Sequence, residues 1–221
     1  MSGDNRGRQT PGGRKASVLA TYLIDLSPDD MKRRLPDALR VYVDAMRYPR
    51  GTEHQRAALW LEHTRRAGWK CVAAVDGADA ESTSAASGPT HSDLLDAPLR
   101  GIAYGYSGAP DQWWQQQVVG GLQRVGADPD RISALMTSYF ELTELHIAPT
   151  AQGQGLGEAL SRRLLAERTE SHVLLSTPEI VGEANRAWRL YRRLGFADVI
   201  RGYHFTGDPR PFAVLGRRLP L

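Results

Sequence analysis

Residues 144–157 read Glu-Leu-His-Ile-Ala-Pro-Thr-Ala-Gln-Gly-Gln-Gly-Leu-Gly, and they decide the fold of this chain more than any other stretch. The apolar run from Leu142 to Ile147 predicts a strand that ends at Pro149, and leucines at helical spacing predict a helix that begins near Leu156. Glycine is dense in the turn between them. The first N–H groups of a helix lack an intrahelical partner and carry the positive end of its dipole, so this order predicts an anion-binding site.

The turn does not match the two common nucleotide-binding loops. A Walker A loop ends in Gly-Lys-Ser/Thr, whereas Gly157 is followed by Glu-Ala. A dinucleotide fingerprint needs Gly-x-Gly-x-x-Gly, and counted from Gly153 its last glycine would fall on Glu158. What remains is the pattern Gln-x-x-Gly-x-Gly, which Gln152, Gly155 and Gly157 carry.

A second motif follows about thirty residues later, Asn-Arg-Ala-Trp-Arg-Leu-Tyr-Arg-Arg-Leu-Gly-Phe over residues 185–196. Its apolar residues share one face of a predicted helix, and Gly195 stands where a left-handed C-terminal cap belongs. In this order and at this distance, the two motifs resemble those of the Gcn5-related N-acetyltransferase (GNAT) superfamily. The resemblance covers residues 140–196.

The resemblance implies an α/β (α+β) fold with a mixed, mostly antiparallel central sheet of about seven strands, with helices on both faces. The sheet would be splayed where strands four and five part. We expect residues 1–16 to be a disordered tail and residues 17–221 to form a single domain. Within it, residues 77–97 are predicted to be a mobile loop because they are rich in small and polar residues, and residues 108–137 to be an insertion.

Local patterns predict several further elements. Ser27-Pro-Asp-Asp predicts a helix N-terminus, and a second helix should run from Thr52 to about Ala67. The insertion should contain a helix around Trp113 and Trp114, which either anchor packing or line the acceptor site.

The resemblance also implies how acetyl-CoA would be bound. The backbone of His146 and Ile147 would pair with the pantetheine arm, and the loop amides would hold the pyrophosphate. Many relatives have arginine at the position of Gln152, so a fixed charge is missing there. The implied cofactor-binding residues are His146, Ile147, Gln152, Gly153, Gln154, Gly155, Leu156, Gly157, Asn185 and Tyr191. No metal is expected.

Three side chains are candidates for the chemistry. Tyr191 would protonate the leaving thiolate, since a phenol of pKa ~10 suits a thiol of pKa ~8.5. An acceptor amine of pKa ~10.4 must lose a proton, and Glu144 and Glu141 are the candidate bases, with Glu144 preferred. Because they are three residues apart, a regular strand sends them to opposite faces unless a bulge intervenes. His146 could join a proton relay with Glu144, although a backbone role is favoured.

Composition limits the partners. The net charge of +3 in 221 residues is too small to argue for nucleic acid, and no apolar run approaches the ~20 residues that span a membrane. Residues 1–16 lack the apolar core of a signal peptide, and Cys71 is the one cysteine. Both observations favour a reducing cytoplasm.

The sequence therefore predicts an acetyl-CoA-dependent N-acetyltransferase that acts on a primary amine. The acceptor would be a small molecule or a protein lysine or N-terminus, and the enzyme could form a homodimer. Two alternatives stay open, a non-catalytic acyl-CoA-binding regulatory module and a GNAT enzyme that uses a longer acyl-CoA. Intact Tyr191 and Glu144 argue against the first.

Overall fold

A computed structural model describes residues 20–77, 88–179 and 186–221. The predicted tail of residues 1–16 lies outside them. The described elements are β1 (Thr21–Leu26), α1 (Pro28–Met46), α2 (Thr52–His63), β2 (Lys70–Asp76), α3 (His91–Asp96), β3 (Leu99–Ser107), α4 (Trp113–Arg124), α5 (Pro129–Met136), β4 (Tyr139–Ile147), α6 (Leu156–Leu165), β5 (His172–Pro178), α7 (Arg186–Arg193), β6 (Ala197–Tyr203) and β7 (Phe212–Arg218).

The described strands form one seven-stranded sheet in the order β1-β2-β3-β4-β5-β7-β6. Neighbouring strands are antiparallel except β4 and β5, which run parallel and pair only from Tyr139 to Glu141 and from His172 to Leu174. Beyond these pairs the two strands separate. The mixed, mostly antiparallel sheet and the splay between its fourth and fifth strands are confirmed.

Helices cover both faces of the sheet. Alternate residues of β2 divide between two apolar clusters, with Cys71 and Ala73 packed under α1 and α2 and Val72 and Ala74 packed under α6. The face that carries α1 and α2 continues across β5, where Leu174 packs against α4 and α5. No helix in these three described ranges is long and apolar enough to cross a membrane.

Two local predictions at the ends of helices can be compared directly. Helix α1 begins as expected, because the Ser27 side chain caps the Asp30 N–H and the Asp30 carboxylate accepts from the Ser27 N–H. Helix α2 ends at His63, earlier than the predicted Ala67, and residues 64–68 turn back toward β2.

The predicted loop at residues 77–97 is wrong in its last part. Residues 91–96 form α3, which a second capping box begins: Thr90 Oγ1 accepts from the Asp93 N–H, and the Asp93 carboxylate accepts from the Thr90 N–H. The buried side chains of Leu94 and Leu95 hold the helix against the core. The loop prediction missed this pair of leucines because small polar residues surround it.

Candidate active site

A β-bulge in β4 brings the two candidate bases to one face of the sheet. Tyr104 of β3 pairs with Glu144, whereas the next residue, Gly105, pairs with Leu142, so Thr143 is the extra residue. Glu144 and Glu141 therefore point to the same side despite their odd spacing. That side faces α1 and α2, and Glu141 stands at the last point where β4 still pairs with β5.

Glu141 is an acid held in a nearly dry environment. Glu141 is 4% exposed, and its Oε2 atom has no hydrogen-bond partner among the residues that the structure describes. Burial, with a smaller contribution from the charge of Glu144, raises the pKa of Glu141 to about 8 against the opposing effects of Arg66 and of the Tyr106 and Thr143 hydroxyls. Near neutral pH, Glu141 therefore keeps a proton.

Glu144 is hydrogen-bonded to the side chain of His146. The Glu144 Oε2 and His146 Nε2 atoms are 2.5 Å apart. The imidazole is fixed edge-on against Tyr42, with ring centroids 4.9 Å apart, and stacks at 6.4 Å on Trp60. The expectation that His146 acts through its backbone alone misses this contact, which orients the Glu144 carboxylate.

Tyr191 lies on α7, within the cluster on the opposite face, and packs 5.7 Å from the Phe196 ring. Burial raises its pKa, and the charge of Glu144 adds to that effect, so the two groups interact across the splay. The backbone supports this placement: Phe196 N–H donates to the Tyr191 carbonyl at 2.9 Å, and Gly195 adopts a φ of 81°. The predicted left-handed cap after α7 is confirmed.

The glycine loop offers unpaired amides to a ligand. Gly153 and Gly155 have φ values of 84° and 80°, which favour glycine, and a Cβ atom at either position would meet nothing within 4 Å. Across the described parts of the chain, no backbone carbonyl accepts from the amides of residues 152–157. Open space, free N–H groups and the start of α6 together fit a pyrophosphate.

Arg186 supplies a charge that Gln152 lacks. Its Nη1 atom donates to Gln152 Oε1 at 2.8 Å, while Gln152 Nε2 donates to the Ile147 carbonyl at 3.2 Å. The guanidinium thus stands beside the loop although it belongs to α7. Sequence reasoning missed Arg186 because the contact joins residues far apart in the chain. Asn185, the neighbouring candidate, lies outside the described residues.

The two tryptophans of the insertion have different surroundings. Trp114 is buried and its Nε1 atom donates to Ser176 Oγ at 3.2 Å, which makes it a packing anchor. Trp113 is 51% exposed and its ring lies 5.7 Å from that of Phe205, just after β6.

Comparisons with known proteins identify the family of this chain. A family model for the acetyltransferase (GNAT) domain matches residues 111–198. A GCN5-like protein acetyltransferase of Mycobacterium tuberculosis is 68% identical over 206 residues, which cover 92% of this chain and all of that protein. The chain belongs to the GNAT family of acetyltransferases.

Two solved structures share the fold. A GNAT-family acetyltransferase from Desulfovibrio desulfuricans aligns with a TM-score of 0.57 at 16% identity, covering 90% of this chain and 99% of that one. Arabidopsis thaliana NAA60 in complex with acetyl-CoA aligns with a TM-score of 0.53 at 15% identity, again covering 90% and 99%.

Proposed function

We propose that this enzyme transfers the acetyl group of acetyl-CoA directly to a primary amine of a protein, a lysine side chain or an N-terminus. The observation that carries the proposal is that the candidate catalytic residues and the candidate pyrophosphate loop follow one another directly in the chain. Strand β4 presents Glu141, Glu144 and His146 on one face, and the loop of free amides directly follows it. The choice of a protein acceptor is supported by the Mycobacterium tuberculosis relative, which is named a protein acetyltransferase.

The open edge of β4 would hold the pantetheine arm. After Glu141 this strand pairs with none of the described residues on the β5 side, so backbone groups near His146 and Ile147 face the splay. Acetyl-CoA supplies the acyl group as a thioester and yields a free thiol. Its pyrophosphate would be held by the amides of residues 152–157, by the dipole of α6 and by Arg186.

We assign the role of general base to Glu144. Glu141 keeps its proton near neutral pH and cannot accept another, while Glu144 is oriented by His146. In the overall reaction the acceptor ammonium loses two protons, of which one passes through Glu144 to water and the other ends on the thiol. A C–N bond forms as the C–S bond breaks. Glu141 becomes a competing base only above pH of about 8.

Tyr191 is the proposed acid, and its acidity depends on Glu144. The raised pKa keeps the phenol protonated, so it can donate a hydrogen bond toward the sulfur. When Glu144 takes up the amine proton, its negative charge disappears, and with it one of the two causes of the raised pKa. Neutralising Glu144 therefore lowers the pKa of Tyr191, while burial, the larger cause of the raised pKa, is unchanged.

The direct experiment offers acetyl-CoA and two peptides to the wild-type protein. One peptide has a free lysine and a blocked N-terminus, and the other has the reverse. We expect thiol release and the mass of one added acetyl group on at least one of them. Acetyl-CoA binding without thiol release on either peptide would contradict the proposal and favour the regulatory module. Faster turnover with propionyl- or succinyl-CoA would favour the longer acyl donor.

One domain over residues 17–221, a cytoplasmic location and a possible homodimer stay predictions from the sequence.

A further inference from the structure

Arg56 of α2 is a half-buried guanidinium beside the catalytic face. Its Cζ atom lies 5.8 Å from the centroid of the Tyr42 ring, and Tyr42 in turn packs against His146. The charge of Glu144 acts on the guanidinium, and the guanidinium in turn acts on Asp208, in the segment between β6 and β7. Arg56 therefore lies near both the candidate base and that segment.

The Arg56 side chain is hydrogen-bonded to the Tyr42 side chain but forms no ion pair within the part of the chain that the structure describes. Two other arginines at the ends of α2 do have carboxylate partners: Arg50 pairs with Asp44 at 3.1 Å, and Arg66 pairs with Glu62 at 3.1 Å. A guanidinium that is partly withdrawn from water and lacks an ion-pair partner carries a desolvation cost. Such a charge is well suited to a partner that arrives with the substrate.

The β6–β7 segment contacts Tyr48, which lies just after α1. Arg210 pairs with Asp208 at 2.6 Å and also donates to the Tyr48 hydroxyl at 2.9 Å. Its guanidinium lies 5.4 Å from the Phe212 ring centroid. The Tyr48 ring packs 5.5 Å from that of Tyr42, so this contact brings the β6–β7 segment close to Arg56 on the side of the sheet that carries Glu144.

We propose that Arg56 binds an acidic side chain next to the accepting amine, and so favours protein acceptors in which Asp or Glu neighbours the modified residue. This inference rests on the proposed function. The planar guanidinium matches a carboxylate with two parallel hydrogen bonds. The amine is attracted to Glu144 while the neighbouring carboxylate meets Arg56, so the acceptor and the site have complementary charges.

The test assays two variants of the enzyme on two peptides each. Wild type and Arg56→Gln are assayed with a lysine peptide flanked by glutamate and with the same peptide flanked by glutamine. We expect wild type to prefer the acidic peptide by roughly tenfold in kcat/KM, mainly through KM, on the scale of a charge-assisted hydrogen bond. Arg56→Gln should lose this preference, and Arg56→Lys should keep part of it.

Arg50→Gln is the matched control because Arg50 lies close to α2 but is exposed and already paired. It should keep the full preference. An equal loss of Arg56→Gln activity on both peptides would show a structural role and overturn the inference, as would a wild type that does not distinguish the peptides. In both outcomes acetylation itself still occurs, so the proposed function survives. If wild type acetylates no peptide, both proposals fail.

Discussion

Replacing Glu141 by glutamine should change how the stability of this protein depends on pH. Burial raises the pKa of Glu141 to about 8, compared with 4.5 for a free side chain. The folded protein therefore keeps a proton that the unfolded chain releases. The free energy of unfolding is highest below pH 4.5, falls as pH rises, and levels off once pH exceeds the folded-state pKa. Between pH 5 and pH 8 the loss amounts to about 3–4 kcal/mol.

Glutamine cannot ionise, so Glu141→Gln removes this pH-dependent loss. It also adds a loss that does not depend on pH, about 1–3 kcal/mol, because Oε2 has no hydrogen-bond partner and an amide there leaves its donors unsatisfied. The quantity to measure is therefore how the difference in free energy of unfolding between mutant and wild type changes from pH 5 to pH 8. Relative to wild type, the mutant should gain about 3–4 kcal/mol over that range.

Urea unfolding of both proteins at several pH values, followed by tryptophan fluorescence, measures this difference. Glu170→Gln serves as the control. The Glu170 carboxylate accepts from Ser107 Oγ at 2.6 Å and pairs with Arg168, and its pKa is lowered because these contacts outweigh its burial. It titrates below the range, so the cost of Glu170→Gln should stay constant from pH 5 to pH 8. If the free energy of unfolding of wild type and of Glu141→Gln changes with pH in parallel, Glu141 is ionised in the folded protein and its pKa is not raised.

Further variants test the glycine loop and the Glu144–His146 pair. Gly155→Val should abolish the rise in Tm that acetyl-CoA causes, because the valine side chain enters the open space of the glycine loop. Gly126→Val is the control, since Gly126 lies between α4 and α5 with a similar φ of 72° and equally open surroundings, and it should keep the rise. Equal rises in the two variants would contradict the assignment of the loop. His146→Ala should lower kcat by about tenfold or more at unchanged acetyl-CoA affinity. His146→Gln should recover part of the lost kcat because the glutamine amide can approach Glu144. A kcat for His146→Ala equal to that of wild type would remove His146 from the mechanism.

Much of the fold was predictable because its signals are local. The capping box at Ser27, the positive φ of Gly155 and the cap at Gly195 follow from residues that interact with near neighbours. The order of strands follows from the resemblance together with the hydrophobic pattern. The short α3 was missed because its burial depends on only two leucines, Leu94 and Leu95.

The site could be predicted only in part because its geometry is not local. The bulge at Thr143 is set by the register of β4 against β3, and no pattern within β4 reveals it. Arg186 reaches the loop residue Gln152 from α7, and the charges that act on Arg56 depend on which carboxylates the fold brings near it. Sequence alone identified the residue types of the site, and the sheet determines which of them interact.

Acetyl transfer by Tyr191→Phe tests whether Tyr191 is the acid that protonates the leaving thiolate. The substitution removes one hydroxyl and keeps the ring that packs against Phe196, so Tm and acetyl-CoA affinity should stay near wild type. If Tyr191 is the acid, kcat for acetylation of the lysine peptide should fall by ~10²-fold or more. An unchanged kcat, with a single-turnover rate also unchanged, would contradict the account and leave Tyr191 as a core aromatic residue.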